Sequence, residues 1–155
     1  MKLLTRSFSF IFGFAFALLL AGCAANNPGG VKLRSNQPHD FVVQVNQEFF
    51  VLRLIDPKSV MLARKRISGA APQGIVSGKL ADTDGGFNVD PDSKTAWSWH
   101  LIPETVKFPQ LSMEVCDGRP ADVENNKQHW LNDVKMYCPW QAKILRELAA
   151  PSGEH

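Results

Sequence analysis

The stretch FVVQVNQEFFVLRLID, Phe41 to Asp56, is built largely from β-branched and aromatic residues. That composition predicts one long bent strand, or two strands around Asn46-Gln47. Phe49-Phe50-Val51-Leu52 is apolar on both faces, which predicts a central strand. Asp56-Pro57 then reads as a helix start, because Asp accepts from free amides and Pro suits the first helical position. Val60, Ala63 and Ile67 fall on one stripe, and Gly69 is placed to close the helix. The short basic run Arg64-Lys65-Arg66 reads as its solvated face.

Further along, Gly74 to Ala81 is a second strand candidate, followed by the turn-rich segment DTDGGFNVDPDSK from Asp82. Trp97 to Phe108 reads as a strand with a bend at Pro103, and Leu111 to Cys116 alternates as another. Pro120 starts a helix with Val123, Trp130, Leu131 and Val134 on one stripe. Pro139 starts a third, with Trp140, Ile144 and Leu148 four apart. The resulting order is strand, helix, three strands, helix, helix. It predicts an α+β fold: an antiparallel sheet of about four to five strands with two to three helices packed on one face. The expected domain runs over 38–150, with a fraying tail at 151–155.

The first 22 residues belong to a different class of segment. Lys2 and Arg6 precede an apolar run from Phe8 to Leu20, about 13 residues, where a spanning helix needs roughly 20. Those features match a secretory signal peptide over 1–22. Leu20-Ala21-Gly22-Cys23 resembles the lipobox of bacterial lipoproteins. The resemblance implies cleavage after Gly22, a diacylglycerol thioether on Cys23 and acylation of the new amino terminus. Ala24, in place of Asp, implies outer-membrane sorting toward the periplasm in a Gram-negative host. Residues 23–37 then read as the lipidated cysteine and a flexible Asn, Gly, Pro and Ser-rich tether. The expected partners are the membrane, through the lipid, and an envelope protein or small ligand. Without Lys2 and Arg6 the 17 basic residues fall to 15, matching the 15 acidic ones. Nucleic acid, which needs a concentrated basic face, is not an expected partner.

After lipidation Cys116 and Cys138 remain, and an even count in an exported chain favours a disulfide. Two free thiols, or a zinc site with His100 and His129, are the alternatives.

In the stretch WSWHL, strand alternation sends Trp97, Trp99 and Leu101 to one side and Ser98, His100 and Ile102 to the other. The tryptophan side reads as core or as an aromatic ligand platform. His100 reads as a structural histidine, a base or a metal ligand. Ser98 and His100 sit nearly ~7 Å apart along a strand, and the chain has no Gly-x-Ser-x-Gly elbow. The Asp82–Ser93 segment lacks Glu at the twelfth position of a calcium loop and reads as a polar hairpin loop. Glu114 and Asp117 fall on opposite sides of an alternating strand, so they do not read as a catalytic pair.

The segments FVLRLIDPKSVMLARKRISG, VSGKL, FN, WSWHLIPETVKF, MEVCDGRPADVE and YCPWQAKILREL occur in this order from Phe50 to Leu148. Together they resemble the calmodulin-binding-protein-like secreted domain family. Trp99 fits the family's aromatic after Trp-Ser, whereas Ile102 stands where the pattern has Asp. The resemblance implies a shared fold, a Cys116–Cys138 bridge and a packing role for Phe87-Asn88. Calmodulin is a eukaryotic partner, so it does not imply calmodulin binding here.

The leading expectation is a non-enzymatic, lipid-anchored binding domain with no cofactor or metal. Trp97, Trp99, His100, Phe87 and Asn88 are its candidate binding residues. The alternatives are a metal-dependent or hydrolytic activity using His100 with nearby carboxylates, and inhibition of an envelope enzyme through the Gly85-Gly86-Phe87 loop.

Overall fold

The computed structural model describes residues 37–82 and 86–149. The expected signal peptide, lipidated Cys23, most of the tether and the tail lie outside the described residues. Phe41 to Leu54 resolves into two strands, β1 (His39–Val45) and β2 (Glu48–Leu54), joined in antiparallel register with Val45 opposite Glu48. The turn works because Asn46 takes a left-handed φ of 55°, which Asn tolerates better than most residues. Phe41, Val43, Val45, Phe50, Leu52 and Leu54 face the core, while Val42 and Val51 are buried on the opposite face.

α1 (Pro57–Ile67) begins as its sequence predicts: Asp56 Oδ2 accepts from the Ser59 amide at 2.9 Å. Gly69, at φ 76°, lies just past its end. Val60 and Ala63 are buried on the expected stripe, but the third buried residue is Arg66; Ile67 is 37% exposed. Counting three onward from Ala63 reaches Arg66, so this cation occupies the inner face of the helix.

The chain forms two three-stranded antiparallel sheets where its sequence predicts one. The first has the order β2-β1-β6, so β1 is central and β2 lies at an edge, contrary to the double-sided apolar reading. Its third strand, β6 (Lys143–Glu147), replaces the helix expected after Pro139. Apolar residues four apart satisfy a period of two as well as 3.6, so the spacing does not discriminate. β1 needs a hydrogen-bonding partner on its second edge, and β6 supplies it, with a bulge between Val42 and Val43. Gln73 fixes this strand from the side: its Oε1 accepts from the Ile144 amide at 2.9 Å and its Nε2 donates to the Ile144 carbonyl at 3.2 Å.

The second sheet has the order β4-β3-β5, from β3 (Gly78–Asp82), β4 (Trp99–Leu101) and β5 (Met136–Tyr137). The strand expected from Trp97 to Phe108 is confined to β4, and a 3-10 turn over Pro103–Thr105 makes the bend at Pro103. Leu111 to Cys116 is not a strand. It runs as an extended strap into a 3-10 turn over Glu114–Cys116. α2 (Pro120–Asn125) starts at Pro120 and is followed by α3 (Lys127–His129) and a π-helical turn over Trp130–Val134. Val123 and Trp130 of the expected stripe are buried, with Leu131 and Val134 packed against the core.

Aromatic rings join the sheets. Tyr137 packs edge-on against Trp99 at 5.3 Å, Phe50 at 5.7 Å and Trp130 at 5.9 Å. Each such pair contributes about 0.5–1.5 kcal/mol beyond burial of area. Cys116 and Cys138 are bridged, with Cα atoms 5.1 Å apart and a sequence separation of 22. The bridge ties the end of the strap to the chain that follows β5, and it removes both sulfurs from any zinc site.

Closing a loop of this length stabilises the fold by about 3 kcal/mol. The double variant Cys116→Ala/Cys138→Ala should therefore lower the urea unfolding free energy by about that amount. An unchanged midpoint would show that strap and strand end are held by packing alone.

Candidate functional site

The five residues singled out in the sequence do come together. Asn88, 1% exposed, accepts from the Val51 amide through Oδ1 and donates through Nδ2 to the Trp99 carbonyl, each at 2.8 Å. Its own carbonyl accepts from the Trp97 amide at 2.9 Å, and the Trp97 indole N–H donates to the Phe49 carbonyl at 2.8 Å. Phe87 lies between Arg53, whose guanidinium stands 3.8 Å over its ring, and His100, whose ring is 5.3 Å away. Trp99 is fully buried and Trp97 packs against it at 6.2 Å. These contacts build an internal joint between the sheets.

The joint does not assemble a hydrolytic site. Ser98 Oγ donates to Glu124 Oε1 at 2.7 Å, and its amide donates to Oε2 at 2.9 Å, so Glu124 clamps Ser98 from α2. His100 Nδ1 is buried without a hydrogen-bond partner. Burial, reinforced by the nearby Arg53 charge, pushes the imidazole below its ordinary value. In the Asp-rich loop the Asp90 carboxylate is engaged by the Asp92 and Ser93 amides and the Ser93 hydroxyl, as in a turn. Asp117 Oδ1 accepts from the Gly118 and Trp140 amides, holding two loops together. Among the described residues no group of three or more His, Cys, Asp or Glu is arranged to hold a metal ion.

The concave surface lies elsewhere. A groove of about 590 Å³ opens between the C-terminal half of α1, the 71–75 loop, the 108–112 strap and Trp140. Its volume falls within the roughly 300–1,000 Å³ of small-molecule sites. Leu62, Ile75, Phe108 and Leu111 give it an apolar wall. The strap's alternation is real, but its apolar side faces outward: Leu111 is 88% exposed, Met113 62% and Val115 61%. Trp140, expected in a helix core, is 43% exposed. Arg66, expected on a solvated face, is 8% exposed. Its Nη1 donates to the Gly74 carbonyl at 3.1 Å, and its guanidinium lies 4.7 Å over the Phe108 ring. Burial lowers its pKa from the ordinary value.

A family model for the N-terminal domain of calmodulin-binding-protein-like proteins matches residues 37–151. The chain belongs to this family. The match spans the entire described fold, so the joint and the groove both lie within the calmodulin-binding-protein-like domain. It agrees with the resemblance carried by the WSWHL, EVCD and YCPW segments. No curated protein and no solved structure is significantly similar to the chain.

A second polar cluster pins this calmodulin-binding-protein-like domain's first sheet to its first helix. Arg64 Nε and Nη2 both reach the Glu147 carboxylate at 2.7 Å, and His39 Nδ1 lies 2.8 Å from Glu147 Oε1. Arg64, with help from His39, holds the Glu147 carboxyl below its ordinary value of 4.5. The unfolded chain therefore takes up this proton more readily than the folded one. The stabilisation is fully present above pH 4.5 and is lost as pH falls through the lower folded value. Glu147→Gln should be less stable than wild type at pH 7 and should lose less stability between pH ~5 and ~3. Parallel pH profiles for the two proteins would contradict this.

Proposed function

We propose that this chain is a lipid-anchored cell-envelope protein whose calmodulin-binding-protein-like domain is a non-catalytic binding module. On this reading Cys23 carries the lipid, residues 24–37 form the tether, and the Arg66–Trp140 groove is the binding surface. The protein faces the periplasm from the outer membrane if the host is Gram-negative. The observation that carries the binding role is the groove itself: a concavity of about 590 Å³ beside a strap that exposes 88% of Leu111. A large apolar side chain so exposed, next to others on the same strap, favours an interaction surface over packing. The neighbouring WSWH residues support the same division of labour, because their polar atoms are largely engaged in holding the sheets together. The Leu20-Ala21-Gly22-Cys23 sequence supports the anchor, since several acyl chains give stable attachment at about 0.8 kcal/mol per buried methylene.

Two measurements test the reading. Radiolabelled palmitate should enter the wild-type product and be absent from Cys23→Ser, which should leave the membrane fraction. Cross-linking in membranes should trap a partner or ligand on the wild-type domain and lose it in Leu111→Asp, with thermal unfolding of that variant unchanged. An unlabelled wild type that fractionates like Cys23→Ser removes the anchor. Equal trapping by wild type and Leu111→Asp removes the groove.

A further inference from the structure

We propose that the groove takes a small amphipathic monocarboxylate, an acyl or aryl chain laid along the apolar wall with its carboxylate on Arg66. The proposal rests on the binding role of the groove and adds the chemical class of its ligand.

The argument begins with the five arginines among the described residues. Arg53 pairs with Asp40 at 2.7 Å, Arg64 with Glu147 at 2.7 Å, Arg119 with Asp122 at 2.8 Å and Arg146 with Asp92 at 3.4 Å. Arg66 is the most buried of the five, and among the described residues it is the one without a carboxylate. A guanidinium does not relieve burial by losing its proton at ordinary pH, so an unpaired one in an apolar wall is costly.

Its donors are unevenly used. Nη1 faces the Gly74 and Ile75 carbonyls at 3.1 and 3.5 Å. Nε is buried with no hydrogen-bond partner, and Nη2 has none among the described residues. Nε and Nη2 are the two donors of the side-on fork that matches the two oxygens of a carboxylate. Phe108 lies under the guanidinium plane and limits its rotation.

The remaining lining selects the rest of the ligand. Arg66 is the sole cation among the groove's lining residues, which favours a single negative charge over a phosphate dianion. Gln73 is already bonded to Ile144 and to the Arg66 carbonyl. Leu62, Phe108, Leu111 and Trp140 offer apolar surface, which suits a hydrocarbon chain or ring.

The test uses the chain from Ala24 onward, which keeps the whole compact unit of residues 33–155. Calorimetric titration compares decanoate, below its micelle concentration, with decanol. Decanoate should bind at least about tenfold more tightly, and Arg66→Met should abolish that difference. Arg66→Lys, which keeps charge but loses the fork, should retain only part of it. Leu111→Asp should weaken both ligands. Equal affinity of the wild type for decanoate and decanol, or no decanoate binding, overturns the proposal even if Arg66→Met fails to fold. So does a charge preference that persists in a folded Arg66→Met. If cross-linking in membranes still depends on Leu111 while decanoate fails, the ligand class is wrong and the binding surface stands.

Discussion

One buried side-chain amide carries the junction between the two sheets. β2 ends its sheet with backbone groups that need partners, and β4 of the second sheet does not pair with it directly. Asn88 fills the gap. It offers the same donor and acceptor as a peptide unit, accepting from Val51 on one side and donating to Trp99 on the other. Trp97 adds a second link to the same edge through Phe49. An aspartate would keep the acceptor and lose the donor; a leucine would lose both. Each lost bond that leaves a buried group unsatisfied costs about 1–3 kcal/mol. The arrangement also covers an apolar edge strand, which would otherwise offer a template for association.

With the sheets joined in this way, the Phe50, Trp99, Tyr137 and Trp130 rings form one core, and Trp97 seals its side. The large aromatic residues of the WSWH stretch are therefore structural. The disulfide fixes the end of the strap, so Leu111 and Met113 stay outward instead of collapsing onto the sheet. Joint and groove are consequences of the same packing: the first holds the domain together, and the second is the concave apolar surface it leaves open.

Much of the local structure is legible in the sequence because local chemistry decides it. Asp56-Pro57 fixes the start of α1, Asn46 fixes the hairpin and Pro120 starts α2, each by a rule that acts within a few residues. The failures share a different cause. Trp140, Ile144 and Leu148 fit helix and strand periods alike, and only the open edge of β1 chooses the strand. Leu111, Met113 and Val115 alternate like a half-buried strand, yet no neighbouring strand among the described residues pairs with them. Phe87, Asn88, Trp97, Trp99 and His100 stand out as a group in the sequence, which does not disclose that Asn88 is the bridge. The groove is hidden from a sequence reading because its lining comes from residues as distant as Leu62 and Trp140. The one available clue is Arg66, three positions after Ala63 on the buried stripe.

Amide hydrogen exchange at Val51 tests the role of Asn88 most directly. Val51 lies on an edge strand, where an amide facing solvent would exchange rapidly. The bridge predicts protection close to that of global unfolding in the wild type. In Asn88→Ala that protection should fall, and the urea unfolding free energy should drop by about 2–4 kcal/mol. A Val51 amide that exchanges rapidly in the wild type, or is equally protected in Asn88→Ala at unchanged stability, would contradict the account.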